Sequence, residues 1–323
     1  MLVILLLLIM GAAGLAYRYW LEPGPPLNPP PVVSVQPGQG LRQIAAALQE
    51  RGVVRSALAA EIFARLTGVA RELKPGDYRF AGNETVAQVI GHIARGEALF
   101  VTVAIPEGAT VHQIAQKLQA AGLVCDWRFE RAARDSSLIR ALGLAPLGAE
   151  GYLFPATYRF PPRVTAQEAV ATMLERFDSL MTPQVQTRIF QLGLTPRQLV
   201  TLASMVEKEA KVPAERPLIA GVFYNRLRLH MPLQSDPTAQ YSFDGSVPPV
   251  VEAVHTPSAF NTYAFAGLPP GPIANPGQAS IEAALYPSPT NYLYFVARKD
   301  GTHIFSHSLK EHDRAIASLK GLP

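Results

Sequence analysis

In the run TLASMVEKEA, residues 201–210, Glu207 and Glu209 stand two apart near the end of a segment with helical periodicity. A carboxyl group so placed can act as a general acid if apolar neighbours keep it protonated and a groove brings it substrate. Thr195-Pro196 reads as an N-cap followed by a first-turn proline. Leu199, Val200, Leu202, Ala203, Val206 and Ala210 then share one face, which predicts a helix over 196–210 packed on a core. At about 100° per residue, Lys208 points away from that face, Glu207 falls beside Val200 and Ala203, and Glu209 falls beside Leu202. The two carboxylates therefore diverge and cannot flank one bond as a close pair. Glu207, with small apolar neighbours, is the candidate acid, its pKa raised by desolvation. The competing reading is a solvated charge or an ion-pair partner of Arg216 or Arg226.

Downstream, NRLRLHMPLQSDPTAQY (225–241) and HTPSAFNTYAFAGLPPGPIANPG (255–277) crowd Asn225, Gln234, Ser235, Asp236, Gln240, Tyr241, Asn261, Thr262, Tyr263 and Asn275 into proline-pinned segments. Amides and hydroxyls on rigid loops can fix the hydroxyl and N-acetyl groups of a glycan, and aromatic rings can stack on its sugar faces. The same residue types also make ordinary turns. Loops of this length in a compact domain are usually functional.

The elements that must position these residues follow from the rest of the chain. Residues 1–17, MLVILLLLIMGAAGLAY, are an apolar run ended by Arg18, Tyr19 and Trp20, which reads as a single-pass transmembrane anchor (1–20) with an interfacial aromatic belt. The run is longer than a usual signal-peptide core, and no A-x-A site follows. Arg18 lies after the run, so charge does not set its orientation. Residues 21–31 hold EPGPPLNPPP, with six prolines in ten positions, and predict a stiff spacer that holds the folded body off the membrane.

An internal repeat comes next. Residues 33–54 align without gaps on 103–124 with nine identities in 22 positions. Each copy reads as a strand, a glycine turn at Gly38 or Gly108, and a helix whose buried stripe is Leu41, Ile44, Ala45 and Leu48, or Val111, Ile114, Ala115 and Leu118. GDYRF (76–80) reads as a strand, and ETVAQVIGHIARG as a short helix ending at Gly96. The turn resembles that of LysM glycan-binding units, so 32–149 is read as a LysM-like α/β module; a docking domain without ligand is the alternative. A helix is expected near 127–142. At GAEGYLFPATYRFPP a second domain, 150–323, begins. There helices over 167–181, 184–192, 196–210 and 215–229 precede the loops of 230–279, and a closing hairpin pairs NYLYFVA with THIFS across Asp300-Gly301. The fold class is α+β: a transmembrane helix, a LysM-like module and a mixed helical and β catalytic domain.

The 29 basic and 25 acidic residues give a net charge of +4 without a cationic run, which argues against a nucleic-acid partner. Cys125 is the only cysteine, so an intramolecular disulfide and a cysteine metal site are excluded. His303, His307 and His312 have no acidic partner at ligand spacing, and no metal or other cofactor is expected. No phosphate-binding glycine loop or G-x-S-x-G elbow is present.

The runs ASMVEKEA, ER...IAGVFYNRLRL, MPLQSDPTAQY, FNTYAFAGLPPGPIANPG and FVARKDGTHIFSHSLKEH together resemble the endolytic murein transglycosylase (YceG-like) family, and EGYLFPATY resembles its domain-entry motif. The resemblance covers nearly the whole chain. It implies an inner-membrane enzyme with a periplasmic catalytic domain that cuts nascent peptidoglycan strands internally between N-acetylmuramic acid and N-acetylglucosamine. It places the catalytic acid on Glu207. It puts Asn225, Gln234, Ser235, Asp236, Tyr241, Asn261, Thr262 and Tyr263 on substrate-lining motifs, with the peptidoglycan synthases as partners by analogy. Ala156 stands where the family carries Asp, so no contribution from that carboxylate is expected. One carboxyl group suffices for a lytic transglycosylase, because the muramoyl C6 hydroxyl replaces water. Asp236 as a second carboxylate would instead make a muramidase-type hydrolase, and a glycan-binding tether without catalysis is the rival from a different class.

Overall fold

The computed structural model describes residues 4, 10–15, 17–135, 137, 148–241 and 249–321. Most of the apolar run falls outside these residues, and among the described ones no helix is long and apolar enough to cross a membrane. The chain divides into two compact units, residues 1–101 with 159–163, and residues 102–158 with 164–323. That division falls about fifty residues before the boundary expected at 149/150 and assigns the two copies of the repeat to different units.

In the first unit, β1 (Val32–Val35) pairs antiparallel with β2 (Gly76–Arg79), Val33 opposite Tyr78. Three helices cover the ribbon: α1 (Leu41–Glu50), α2 (Ala57–Leu66) and α3 (Val86–Arg95). Ile44, Ala45 and Leu48 of the predicted stripe are buried, as are Tyr78, Phe80, Ile90 and Ile93. Burying each large apolar side chain contributes roughly 1.5–3 kcal/mol. Thr85 caps α3 in a box with Gln88, and Gly96 ends it in the left-handed conformation at φ 74°.

The proline segment does not stand free as a spacer. Leu27 packs against the first unit's core and donates its N–H to Ala81 O at 2.6 Å. Arg55 binds Glu22 at 2.7 Å and the carbonyls of Arg18 and Pro23. Trp20 donates its indole N–H to Ala59 O at 2.8 Å and meets Phe63 edge-on. Proline content sets the stiffness of a segment; it does not stop the non-proline residues between from finding partners on a folded surface.

The strands β3 (Val101–Ala104) and β4 (Thr157–Phe160) each contain residues assigned to both units. In the second unit, the second repeat copy supplies Gly108 at φ 73° and α4 (Val111–Ala120), capped by Thr110 and Gln113. Of the helix expected over 127–142, α5 (Asp126–Ala133) is observed; residues 138–147 lie outside the described residues. There follow α6 (Ala166–Asp178), α7 (Pro183–Gln191), α8 (Pro196–Glu209) and α9 (Arg216–Arg228). The loop region carries two short helices, α10 (Asp236–Gln240) and α11 (Val250–Ala253), before α12 (Gln278–Leu285). The expected hairpin is β5 (Tyr294–Ala297) with β6 (His303–Ser306), Phe295 opposite Phe305, closed by α13 (Leu309–Leu319).

Helix α8 begins as expected, with Thr195 and Gln198 forming a capping box ahead of Pro196. It differs in being enclosed all round rather than on one face, since every residue from Leu199 to Val206 is buried. Its two buried hydroxyls make this possible. Thr201 donates to Arg197 O, while Ser204 donates to Thr201 O and accepts the Ile273 N–H at 3.1 Å, so neither is left unsatisfied.

Candidate active site

Glu207 occupies the last turn of α8, where the helix leaves its enclosure, with its side chain 7% exposed. Its side chain is thus largely removed from solvent. One carboxylate oxygen, Oε2, accepts the Gly277 N–H at 3.0 Å, and Oε1 lies 3.5 Å from Nη2 of Arg216. Of the two cations the sequence offered as partners, the structure selects Arg216. Its Nε donates to Ser280 Oγ at 3.0 Å, and its Nη2 also stands 3.8 Å from Oε2 of Glu107. Glu107 belongs to the Pro106-Glu107-Gly108 turn of the second repeat copy, and it covers Gly277 so closely that a Cβ there would collide with its carboxyl group. A cation thus lies between two carboxylates, one nearly buried and one half-exposed.

Gly108 closes another side of Glu207. At φ 73°, an added Cβ would lie 3.4 Å from Glu207 Cγ. Gly108→Ala is expected to lower stability by roughly 1–2 kcal/mol through the left-handed backbone and to slow turnover as the turn packed on Glu207 shifts to relieve that strain. The comparator is Gly38→Ala, at φ 77° with nothing within 4 Å, which should carry the stability loss alone. Urea unfolding and turnover measured side by side check both.

Glu209 diverges from Glu207, as the helical geometry predicts, and joins a separate network. It accepts the Ser235 hydroxyl at 2.5 Å, and burial, reinforced by the charge of Asp236, pushes its pKa up to about 7. Asp236 accepts the Tyr263 hydroxyl at 2.5 Å; burial and that carboxylate hold the phenol well above its ordinary range. Thr262, fully buried, accepts the Ser235 N–H at 3.1 Å and shares a hydrogen bond with Thr238. Gln234 adopts φ 51°, uncommon for a residue with a Cβ, and is held by its N–H to Thr262 O and by Arg226 on its Oε1.

Another carboxyl group largely withdrawn from solvent, Glu150, was not singled out from the sequence. It accepts the Val111 N–H at 3.2 Å, the Asn275 amide at 2.9 Å and the Tyr241 hydroxyl at 3.1 Å. Burial outweighs these donors and pushes its pKa up to about 7. A cavity of about 310 Å³ lies over it, walled by Tyr152, Arg197, Tyr241, Phe260 and Pro272. Asn275 ties the region together. Besides Glu150, its amide reaches Ala109 O, its side-chain oxygen accepts the Leu153 N–H, and two residues on, Gly277 holds Glu207.

Glu150 and Glu209 give stability a pH dependence. Each has a folded pKa of about 7 against an ordinary glutamate value of 4.5, so between these values the folded state binds more protons than the unfolded one. Stability is fully present below about pH 4.5 and is lost as pH rises through 7, on the order of 1–3 kcal/mol per group. The urea midpoint should fall from pH 5 to pH 8, and the double change Glu150→Gln, Glu209→Gln should flatten that slope.

Two of the expected contact residues serve as internal braces. The Asn225 amide donates to Thr290 O and Tyr292 O, at 2.8 and 2.9 Å, and its oxygen accepts from Arg228. The Asn261 amide donates to carbonyls of Val254 and Thr256. Both are buried; the Asn225 amide ties α9 to the 290–292 segment, and the Asn261 amide closes its own loop. Glu107, Glu150 and the Gly277 amide are the elements missed. For Glu107 the available signal was the repeat, in which the second copy carries an acid beside its turn glycine. His303, read without an acidic partner, pairs with Glu215 at 2.7 Å.

Against known proteins, the model of the YceG-like family matches residues 33–318. A Bacillus subtilis (strain 168) protein named endolytic murein transglycosylase is 32% identical over 95% of this chain and 90% of its own length. A Streptococcus pneumoniae serotype 2 (strain D39) protein of the same name is 32% identical over 88% of this chain, but the match spans 57% of that longer protein. The 2.6 Å crystal structure of a yceG-like protein from Listeria monocytogenes superposes with a TM-score of 0.61 at 30% identity, over 88% of this chain and 98% of that one. In sequence and in α+β fold, the chain belongs to the YceG-like family.

Proposed function

We propose that the protein is an endolytic peptidoglycan lytic transglycosylase with Glu207 as its single acid and base. The observation that carries this is the Glu207 carboxylate, nearly buried at the end of an enclosed helix and held by one N–H donor and one guanidinium. Glu207 protonates the oxygen between N-acetylmuramic acid and N-acetylglucosamine as that bond breaks. The substrate's N-acetyl group and the surrounding dipoles stabilise the oxocarbenium-like centre. The resulting carboxylate takes the proton from the muramoyl C6 hydroxyl as its oxygen closes onto C1, giving a 1,6-anhydro end and returning Glu207 to its acid form. Gln234, Asp236, Tyr241 and Tyr263 are the contact residues; Ser235 and Thr262 hold them in place, and Asn225 and Asn261 brace the loops. Tyr241 and Phe260, which line the Glu150 cavity, are the aromatic residues that a sugar there would meet.

In this reading residues 1–20 anchor the chain in the inner membrane of a bacterium, the enzyme body lies in the periplasm, and residues 32–149 form a LysM-like glycan contact. The peptidoglycan synthases are its partners by analogy. One observation favours a second reading. Glu107, joined to Glu207 through Arg216, supplies a second carboxylate that could activate water, making the enzyme a muramidase. Mass spectrometry of fragments from uncrosslinked strands separates the two: an anhydro end is lighter than a reducing end by one water. Intact strands under conditions where the protein binds them would overturn both and leave a tether.

A further inference from the structure

The folding-back of the proline segment fixes where the first unit stands relative to the end of the apolar run. Trp20 is pinned to α2 by its indole N–H on Ala59 O and by its ring against Phe63, and Arg55 fastens Arg18, Glu22 and Pro23 beside it. No length of free chain separates Trp20 from the unit. On α2 itself the side turned to the core is Ala60, Glu61 and Ala64. Leu58, Ile62 and Leu66, spaced i, i+4, i+8, face solvent with exposures of 65, 39 and 73%. At about 100° per residue this stripe borders the Ala59 and Phe63 positions that hold Trp20. Exposed Arg65, on the same helix, adjoins it and is paired to Glu61 at 2.5 Å, and Arg55 directly precedes the helix N-cap.

We propose that the Leu58–Ile62–Leu66 face of α2 lies in the interfacial layer of an anionic lipid bilayer, so that the first unit rests on the membrane instead of being held away from it. An apolar helical stripe flanked by arginines is the composition that binds at the headgroup boundary, and Trp20, the residue type that favours this depth, marks the level. This rests on the reading of residues 1–20 as a membrane anchor. Trp20 stays on α2 in the bilayer, Leu58 and Leu66 sit among the headgroups, Arg55 keeps its hold on Glu22, and Arg65 exchanges Glu61 for a lipid phosphate.

The test uses the full chain in vesicles of phosphatidylcholine and phosphatidylglycerol. Environment-sensitive fluorophores are placed on Leu8→Cys, Leu58→Cys or Leu66→Cys in a Cys125→Ser background, and on native Cys125, which is exposed, as the water reference. Spin-labelled lipids quench by contact. The expected result is quenching at positions 58 and 66 at least about threefold above Cys125, strongest for quenchers near the headgroup, with position 8 quenched deepest in the bilayer. Breaking the middle of the stripe with Ile62→Ser should weaken quenching at the two flanking labels. Quenching at position 8 with labels at 58 and 66 behaving like Cys125 overturns the proposal and leaves the anchor standing. Absence of quenching at position 8, with no flotation alongside the vesicles, overturns both. A disulfide cross-link between two Leu66→Cys copies at stoichiometric yield would assign the face to a second chain and overturn the lipid contact.

Discussion

Glu207→Gln is expected to lower strand cleavage at least about 10³-fold with the fold intact. The size follows from the double use of one group. An amide can neither give a proton to the departing glycosidic oxygen nor take one from the C6 hydroxyl, so both halves of the reaction lose their proton carrier. Glutamine keeps an oxygen for the Gly277 N–H that Glu207 now accepts at 3.0 Å, and it has nearly the same volume, so the urea midpoint should move little. Binding of uncrosslinked strands should persist. Activity within tenfold of the parent would move the chemistry to another carboxyl group, with Glu107 the first to examine because it shares Arg216.

The largest stability effect is expected at Gly151, a position with no reactive group. Gly151 has φ 89°, and an added Cβ would collide with the Pro272 ring and come within 3.0 Å of Val200 Cγ1. Neither neighbour yields easily: the ring is closed, and Val200 is wholly buried on α8. Backbone strain and overpacking therefore add, and Gly151→Ala should destabilise by about 3 kcal/mol or more. Glu150 precedes it and ties α4, Tyr241 and Asn275 together, so activity should fall with stability. Urea unfolding measures the first; a change below about 1 kcal/mol would contradict the close approach of Pro272.

What could be read from the sequence was what is local. The α8 start was legible because Thr195, Pro196 and Gln198 form its cap among themselves. The hairpin was legible from Asp300-Gly301 between alternating residues, and the repeat from its fixed offset. Helix phase alone separated Glu207 from Glu209, and their partners, Gly277 and Ser235, prove distinct. What stayed hidden depends on contacts across long stretches of chain. Glu107 meets Arg216 from more than a hundred residues away, and Glu150 meets Asn275 over a similar span. The enclosure of α8 was missed because Thr201 and Ser204 look like an exposed flank until their hydroxyls are seen to be satisfied within the core. Asn225 and Asn261 show the converse, since an amide that could hold a sugar could equally hold a carbonyl. The proline segment misled because composition describes a chain in isolation.

The second repeat copy groups with the C-terminal unit and places Glu107 and Gly108 against Glu207. This sets a rule for anyone moving the catalyst onto another scaffold. A fragment cut at 150, where the aromatic motif begins, would leave behind the wall formed by residues 106–108 and the α4 backbone that donates to Glu150. A transplantable piece keeps β3 whole by starting no later than Val101, and a chimera that exchanges both repeat copies as one cassette would replace part of the candidate active site along with them.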